Sequence, residues 1–257
     1  MAKVITVGIQ KGGSSKSTTT CMSAWLLAQK HRVLVVDFDS QGNSTQILTQ
    51  QDIYQFEDKT VLNAILSNDP RRYTVKVSDN LHVLPSDDIL VMLPDQYQGR
   101  GNVTSSLRDL LMLVNDDYDY ILIDTPPNLG VLTTTALTAA DYVVVVLQTE
   151  PLCWKALDRY LELLRVVKNK TNPNLTLLGI LLSMQNSQAA LDASIMSTVR
   201  NDYEDLVFKT TIKRRSRIKE FTLTGITDKT AADRTALSEY RYFVKELLDR
   251  VKEDSIR

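Results

Sequence analysis

The sequence has few of the features that mark secreted, membrane-spanning or metal-clustering proteins. Its 257 residues include only two cysteines, Cys21 and Cys153, with no Cys-x-x-Cys spacing. This excludes a disulfide framework and an evident zinc site. No apolar run approaches the ~20 residues needed to cross a bilayer, and no charged-then-apolar leader precedes the first apolar segment. We therefore expect a cytoplasmic protein with no stable membrane insertion.

The chain also lacks a surplus of charge of either sign. Its 30 Lys and Arg residues nearly balance 31 Asp and Glu residues, leaving a net charge of −1. Net charge therefore gives no reason to expect or exclude a nucleic-acid partner until the charges are located. The length and the 43% hydrophobic content suit one large α/β domain and are too small for two substantial ones,. We expect a single domain over 1–257.

Short apolar, β-branched segments alternate along the chain with stretches of helical periodicity. The pattern predicts strands at 3–8, 33–37, 81–85, 120–124, 142–147 and 175–182, and helices at 16–30, 104–115, 131–138, 152–168, 188–201 and 231–252,. Strands that are apolar on both faces need helices on both faces of the sheet. The sequence thus predicts an α/β fold with a doubly wound, mostly parallel sheet. The irregular stretch 86–103 is expected to be a surface loop.

A loop rich in glycine, serine and lysine directly follows the first predicted strand. Residues 11–17 read Lys-Gly-Gly-Ser-Ser-Lys-Ser and lead into a predicted helix. Backbone N–H groups at such a helix N-terminus bind phosphate oxygens, a lysine neutralises their charge, and a serine hydroxyl can ligate Mg²⁺. We interpret the loop as a nucleoside-triphosphate site formed by Lys11, Gly12, Gly13, Ser14, Ser15, Lys16, Ser17 and Thr18,. Ser15 would be strained if its position requires a positive φ.

Two other predicted strands end in aspartate. The strand 33–37 runs into Asp37-Phe38-Asp39, and the strand 120–124 has four largely apolar residues followed by Asp124. The carboxyl ends of parallel strands meet at one edge of a sheet, where such carboxylates can hold the water shell of a metal beside the phosphate loop. Together with Lys16, these residues favour phosphoryl-transfer chemistry.

The loop resembles the deviant Walker A loop of the ParA/MinD family of dimeric P-loop ATPases. The usual Walker pattern would need glycine at positions 10 and 15, where this chain has Gln10 and Ser15. Residues 37–43 resemble the family box Asp-x-Asp-Pro-Gln-Gly-Asn, with serine at position 40 in place of proline. The resemblance implies a P-loop NTPase fold, ATP and Mg²⁺ as cofactors, a homodimer formed with ATP, and hydrolysis of ATP to ADP and phosphate.

The resemblance also implies roles for individual residues. Asp39 would position the attacking water, Lys16 would neutralise charge, and Lys11 would reach across the dimer to the phosphates of the other subunit. The implied metal residues are Ser17, Asp39 and Asp124. Relatives that position carboxysomes use a lysine in the second half of the chain, which makes Lys155 a further candidate nucleotide contact. An exposed helix lysine is an equally good interpretation of that residue.

Within the family, the sequence is most similar to small, Soj-like ParA partition ATPases and to the carboxysome-positioning relatives. The implied function is ATP-dependent binding to nonspecific double-stranded nucleoid DNA, which positions or segregates a plasmid, chromosome or protein organelle. A ParB-like or adaptor partner protein would stimulate hydrolysis, and the protein would be nucleoid-associated.

A short basic run indicates where DNA would bind. Five of the seven residues 213–219 are Lys or Arg in a nearly neutral chain, and such a concentration of charge favours sequence-independent phosphate contacts. A solvated protein face is the alternative interpretation. The candidate DNA contacts are Arg200, Lys209, Lys213, Arg214, Arg215, Arg217 and Lys219.

Two other functions stay open at this point. One is a membrane-surface ATPase of the MinD kind, which would use the last predicted helix as an amphipathic anchor. The acidic residues mixed along that helix argue against a lipid surface, so we expect its apolar stripe to pack on the domain. The other is a nucleotide-switched regulator with negligible hydrolysis.

Overall fold

The chain forms one mixed sheet with helices on both faces. The structure is a computed structural model that describes residues 1–11, 13, 15–150, 153–185 and 190–255. Within these residues the sheet has eight strands in the order β3-β4-β2-β5-β1-β6-β7-β8, all parallel to their neighbours except β3, which is antiparallel to β4. The strands are β1 Lys3–Gly8, β2 Val33–Asp37, β3 Val75–Lys76, β4 Leu81–Leu84, β5 Tyr120–Asp124, β6 Tyr142–Gln148, β7 Thr176–Gln185 and β8 Val207–Lys213.

Helices connect these strands. They are α1 Lys16–Leu27, α2 Asn43–Thr49, α3 Val61–Ser67, α4 Pro70–Tyr73, α5 Leu93–Gln96, α6 Ser106–Met112, α7 Val131–Ala139, α8 Cys153–Lys170, α9 Ala190–Tyr203, α10 Ser216–Thr224 and α11 Ala231–Asp254. Short 3₁₀ turns cover Ile53–Phe56, Asp88–Met92, Val103–Ser105 and Glu204–Leu206. The longest helix, α11, begins with a reciprocal cap in which Thr230 and Asp233 each bond the other's backbone,.

Alternate residues of each central strand enter two different cores. On β2, Leu34 and Val36 belong to the core that packs against α3, α6, α7 and α8, whereas Val33 and Val35 face α1, α2 and α11. This two-residue period buries both faces of the sheet. The predicted fold class, a doubly wound and mostly parallel sheet, is confirmed.

The boundaries of several predicted elements differ from those observed. Helix α1 ends at Leu27 instead of 30, and the stretch 86–103 contains a 3₁₀ turn and the short helix α5, which bury Leu90 and Leu93. The pattern gave no indication of α2, α3, α10 or the edge strand β3. The predicted helix starts at 152 and 188 lie outside the described residues.

The pairing of β8 with β7 has an irregular register, and the carboxylate of Glu246 bonds the backbone of β8 there. Between Ile180 and Leu182 the partners on β8 advance from Val207 to Thr211, which is two residues more than a regular ladder allows,. The carboxylate of Glu246 on α11 accepts bonds from the backbone N–H groups of Lys209 (2.7 Å) and Thr210 (3.1 Å). It also pairs with Arg250, which donates to the carbonyl oxygen of Val207.

We expect Glu246→Ala to lower the free energy of unfolding by about 2 kcal/mol, because it removes the acceptor of two backbone donors and of a guanidinium. Urea unfolding followed by circular dichroism would measure the change. The control is Glu253→Ala, which removes an exposed carboxylate from the same helix and should cost less than ~0.5 kcal/mol. Equal effects of the two variants would contradict the assigned role of Glu246.

Candidate nucleotide site and basic surface

The phosphate loop connects the carboxyl end of β1 to the first turn of α1. Gly12 and Ser14, two of its predicted contacts, lie outside the described residues. Gly13 and Ser15 both have a positive φ, 72° and 63°. The strain foreseen at Ser15 is therefore present, since a left-handed conformation costs a non-glycine residue ~1–2 kcal/mol.

The amino end of α1 is left without a side-chain cap from the described residues. Ser15 is the N-cap residue, yet its side chain caps no backbone N–H group. Its hydroxyl instead contacts the hydroxyl of Ser183 at the end of β7. The first N–H groups of a helix need partners, and together with the helix dipole they form a binding site for an anion.

Lys16 lies inside this loop with its ammonium group largely shielded from solvent. Lys16 is only 6% exposed, and its Nζ donates a hydrogen bond to the carbonyl oxygen of Lys11 at 3.0 Å. Burial lowers the pKa of Lys16, while the carboxylates of Asp124 and Asp39 act in the opposite direction. A lysine held in this way presents a partly desolvated positive charge, which attracts a phosphate more strongly than a hydrated one does.

Asp124 ends β5 beside Ser17 and is fully buried. One of its oxygens, Oδ2, accepts a hydrogen bond from the Ser44 hydroxyl at 2.8 Å, whereas Oδ1 is buried with no hydrogen-bond partner. Burial raises the pKa of Asp124 to about 6, and the hydroxyls of Ser17 and Ser44 and the charge of Lys16 oppose the shift. A buried, unpartnered carboxylate oxygen next to a serine hydroxyl matches the oxygen donors that Mg²⁺ prefers. The residues present fit that ion.

Asp37 holds the segment that carries Asp39. Its Oδ2 accepts bonds from the backbone N–H and the hydroxyl of Thr45, both at 2.7 Å, and its Oδ1 accepts one from the backbone N–H of Asp39 at 3.3 Å. Burial, and after it the neighbouring Asp124, raises the pKa of Asp37 to about 8. Sequence reasoning assigned Asp37 no role, although its place as the first acid of an Asp-x-Asp pair was a usable signal.

Lys11, the extra lysine of the loop, is paired within its own subunit. Its ammonium group donates to Glu150, which follows β6, and both side chains are partly exposed. The neighbouring Thr149 donates to Asp192 on α9. The residue that the family resemblance assigns to a second subunit therefore has an acceptor in the isolated chain.

An open cleft of about 500 Å³ lies over the loop. Its walls come from the loop, from the Asp39 segment, from α2 and from α10. The lining residues are Gly13, Ser15, Lys16, Ser17, Thr18, Asp39, Gln41, Asn43, Gln46, Ile47, Pro127, Met184, Lys219, Thr222 and Leu223. The cleft brings together five predicted nucleotide contacts and Asp39, with a volume suited to a small ligand.

Known proteins with the same organisation match nearly the whole chain. A family model described as an AAA domain matches residues 2–177. The sporulation initiation inhibitor protein Soj of Bacillus subtilis is 34% identical over 229 residues, covering 86% of this chain and 87% of that protein. The chromosome-partitioning ATPase Soj of Thermus thermophilus is 33% identical over 257 residues, covering 97% and 96%. The chain belongs to the ParA/Soj family of partition ATPases.

A solved structure with a different name has the same fold. A Mycobacterium smegmatis protein described as cobyrinic acid a,c-diamide synthase, with bound ADP and magnesium, superposes with a TM-score of 0.84. It is 31% identical, and the alignment covers 98% of this chain and 96% of that one. The ligands predicted for this ParA/Soj-type chain, ATP and Mg²⁺, match the adenine nucleotide and the metal of that structure.

Lys155 does not line the described part of the ParA/Soj-type cleft. It occupies an exposed position in the first turn of α8, and the cleft is bounded by other elements. A contact between Lys155 and nucleotide stays a prediction that the geometry of this single chain does not favour.

The predicted DNA contacts fall into two groups. Lys213, Arg214 and Lys219 are exposed, and Lys219 also lines the nucleotide cleft. Two others, Arg215 and Arg217, form ion pairs within the domain. Arg215 pairs with Glu239, and Arg217 pairs with Glu220 and with the buried Asp233.

The surroundings of Arg200 and Lys209 favour a role within the folded domain over a role in DNA binding. Arg200 donates to the backbone carbonyl oxygens of Phe208 and Lys209 and so stabilises β8. Lys209 lines a groove whose charged residues are mostly acidic, namely Asp205, Glu246, Asp249, Glu253 and Asp254. We therefore narrow the predicted surface to Lys213, Arg214 and Lys219, since sequence spacing cannot show which cations have internal partners.

Among the described residues, no helix combines the length and apolar character required to traverse a bilayer. The apolar stripe of α11, foreseen as a packing face, is buried against the sheet through Leu237, Tyr240, Phe243, Val244, Leu247 and Val251.

Proposed function

We propose that this chain is an Mg²⁺-dependent ATP hydrolase that dimerises with ATP and then binds nonspecific double-stranded DNA. One domain spanning 1–257 would carry the whole cycle. In a cytoplasmic, nucleoid-associated setting the cycle positions or segregates a cargo, and a ParB-like or adaptor partner protein stimulates hydrolysis. The observation that carries the proposal is the placement of the buried Lys16 close enough to Asp124 and Asp39 to interact with their charges, while Oδ1 of the buried Asp124 has no hydrogen-bond partner.

The residues of the site support hydrolysis in named steps. The uncapped turn of α1 and Lys16 bind and orient the phosphates. Ser17 and Asp124 would hold Mg²⁺, which supplies charge neutralisation at the transferred phosphoryl group. Asp39 holds the attacking water in line, and Asp37 fixes the backbone of Asp39 through a hydrogen bond.

The pairing of Lys11 with Glu150 supports a role for dimerisation. Lys11 must leave Glu150 before it can reach the phosphates of another subunit. The side chains of Lys11 and Glu150 are 32% and 47% exposed, and pairs of that exposure are worth only ~0.2–1 kcal/mol. A nucleotide phosphate on the partner subunit outcompetes so weak a pair, which links the rearrangement of Lys11 to binding.

The exposed cations and the packed α11 favour DNA over a membrane. A membrane-surface ATPase of the MinD kind would need an apolar helix face free to insert, whereas the stripe of α11 is buried. Lys213, Arg214 and Lys219 would supply sequence-independent contacts to DNA phosphates, doubled in a symmetric dimer. The regulator with negligible hydrolysis remains an alternative that a turnover measurement separates from this proposal.

The test compares binding to duplex DNA with binding to anionic liposomes, each with ATP, ADP and no nucleotide. We expect binding to DNA only with ATP, with little sequence preference and an affinity that falls steeply as salt rises. Liposome binding without DNA binding would support the membrane-surface function instead. ATP-dependent binding without measurable ATP turnover would support the regulator.

The double variant Lys213→Glu/Arg214→Glu should reduce DNA affinity at least 10-fold, because it replaces attraction to phosphates with repulsion. ATP-dependent dimerisation should persist. The matched control, Lys229→Glu/Lys252→Glu, changes net charge equally at two other exposed lysines and should retain most of the binding. Fluorescence anisotropy with labelled duplex would measure both. Equal losses in the two double variants would contradict the assigned surface, and loss of ATP binding in the first would show that 213–214 helps to build the nucleotide pocket.

A further inference from the structure

A buried hydrogen bond joins helix α2 to the aspartate that ends β5. The Ser44 hydroxyl donates to Oδ2 of Asp124 at 2.8 Å, across 80 positions of the chain. Both residues are completely buried. Ser44 lies in the first turn of α2, immediately after the Asp39 segment, and does not line the nucleotide cleft.

This bond makes the two oxygens of Asp124 unequal. The terminal torsion of an aspartate is soft and nearly two-fold, so an isolated carboxylate exchanges its oxygens readily. With Oδ2 engaged by Ser44, the oxygen left without a partner is Oδ1. Cys21 constrains the Ser44 hydroxyl further, because its sulfur lies 3.4 Å from Oγ. The thiol is the donor in that contact, which leaves the Ser44 proton for Asp124.

Thr45, which follows Ser44 in α2, donates hydrogen bonds to a second buried carboxylate, that of Asp37. Thr45 donates twice to Asp37, and its hydroxyl accepts the backbone N–H of Ser86. Asp37 and Asp124 are register partners on neighbouring strands. Ser44 and Thr45, which are consecutive in α2, thus each bond one buried carboxylate. The segment that carries Asp39 lies in the chain between Asp37 and these two residues.

We propose that Ser44 is a positioning residue for the metal site, which orients Asp124 so that Oδ1 remains available to the water shell of a divalent cation. This inference rests on the proposed function, because it requires a nucleotide-bound Mg²⁺. Ser44 does not line the nucleotide cleft, so it would act on the metal only through Asp124. Groups that orient metal ligands in this way typically change metal affinity 10–100-fold when they are removed.

The test measures metal affinity without relying on turnover. Calorimetric titration of the full chain with ADP in EDTA gives the metal-free affinity, and titration of the ADP complex with MgCl₂ gives the metal affinity. For Ser44→Ala we expect unchanged binding of metal-free ADP and a Mg²⁺ affinity about 10-fold weaker than that of the wild type. The matched control is Thr49→Ala, which removes a hydroxyl bonded to the backbone of the same helix and should leave both affinities unchanged.

A second pair of variants keeps the test decisive if Ser44→Ala does not fold. The variants Ser44→Thr and Ser44→Val introduce side chains of nearly the same shape, and only the threonine keeps a hydroxyl donor. Weaker Mg²⁺ affinity in the valine variant than in the threonine variant supports the inference. Wild-type Mg²⁺ affinity in Ser44→Ala, or an equal loss of metal-free and metal-bound ADP affinity, overturns it. Failure of the wild type to bind ADP with or without Mg²⁺ would instead overturn the proposed function.

Discussion

Lys16→Ala should abolish ATP binding and Mg²⁺-dependent turnover. The variant removes the buried ammonium group of the phosphate loop, and neither the backbone N–H groups of α1 nor Lys11 occupies its place. Charge-assisted hydrogen bonds in such sites are worth ~1.5–3 kcal/mol, and the lost Coulomb attraction adds to that. We expect ATP affinity to fall about 100-fold or more, measured by calorimetry or with a fluorescent ATP analogue.

The control for this variant is Lys30→Ala, which removes an exposed lysine just beyond the end of α1. It should bind ATP like the wild type. Thermal melts without nucleotide separate a binding defect from unfolding. Normal ATP affinity in a folded Lys16→Ala protein would contradict the assignment of the loop.

Asp39→Ala should leave ATP binding intact, stall hydrolysis and so trap the dimer. Asp39 lines the cleft together with the phosphate loop, and its removal takes away the positioning of water without altering the groups that bind phosphate. Positioned acid or base groups contribute about 10²–10⁴ in rate, so the turnover number should fall within that range while ATP affinity changes little. Size-exclusion chromatography with ATP and Mg²⁺ should show a persistent dimer.

Asp88→Ala serves as the comparison for Asp39→Ala, because Asp88 is an exposed aspartate of a 3₁₀ turn and does not line the cleft. Its turnover and its ATP-dependent elution should match those of the wild type. A monomeric Asp39→Ala protein, or one with unchanged turnover, would refute the role given to Asp39.

The sequence predicted the fold well because the signals for it are local. The run Val33–Val36 is apolar at every position, and only a strand covered on both faces buries such a run,. The phosphate loop was equally readable, since its lysines, glycines and serines follow one another in the chain. Asp124 was found because four largely apolar strand residues precede it.

The contacts missed by sequence reasoning depend on partners that are distant in the chain. Arg217 is a predicted DNA contact, and its ion pair with Asp233 could not be foreseen from the sequence. The bond from Ser44 to Asp124 and the pairing of Lys11 with Glu150 likewise join segments that no periodicity relates. Such choices of partner are fixed by the order of the strands, so a local pattern cannot predict them.

The bonds from the backbone of β8 to Glu246 also affect whether the sheet can pair with the sheet of a second molecule. Exposed sheet edges invite incoming strands, and natural proteins block them with short strands, bulges or charged side chains. Here the edge strand β3 has only two residues. At the opposite edge, Glu246 and Glu239 take the backbone N–H groups of Lys209, Thr210 and Lys213. Extension of the sheet from one molecule to the next is thereby disfavoured at both margins, so association of two copies by addition of strands to the sheet is not expected.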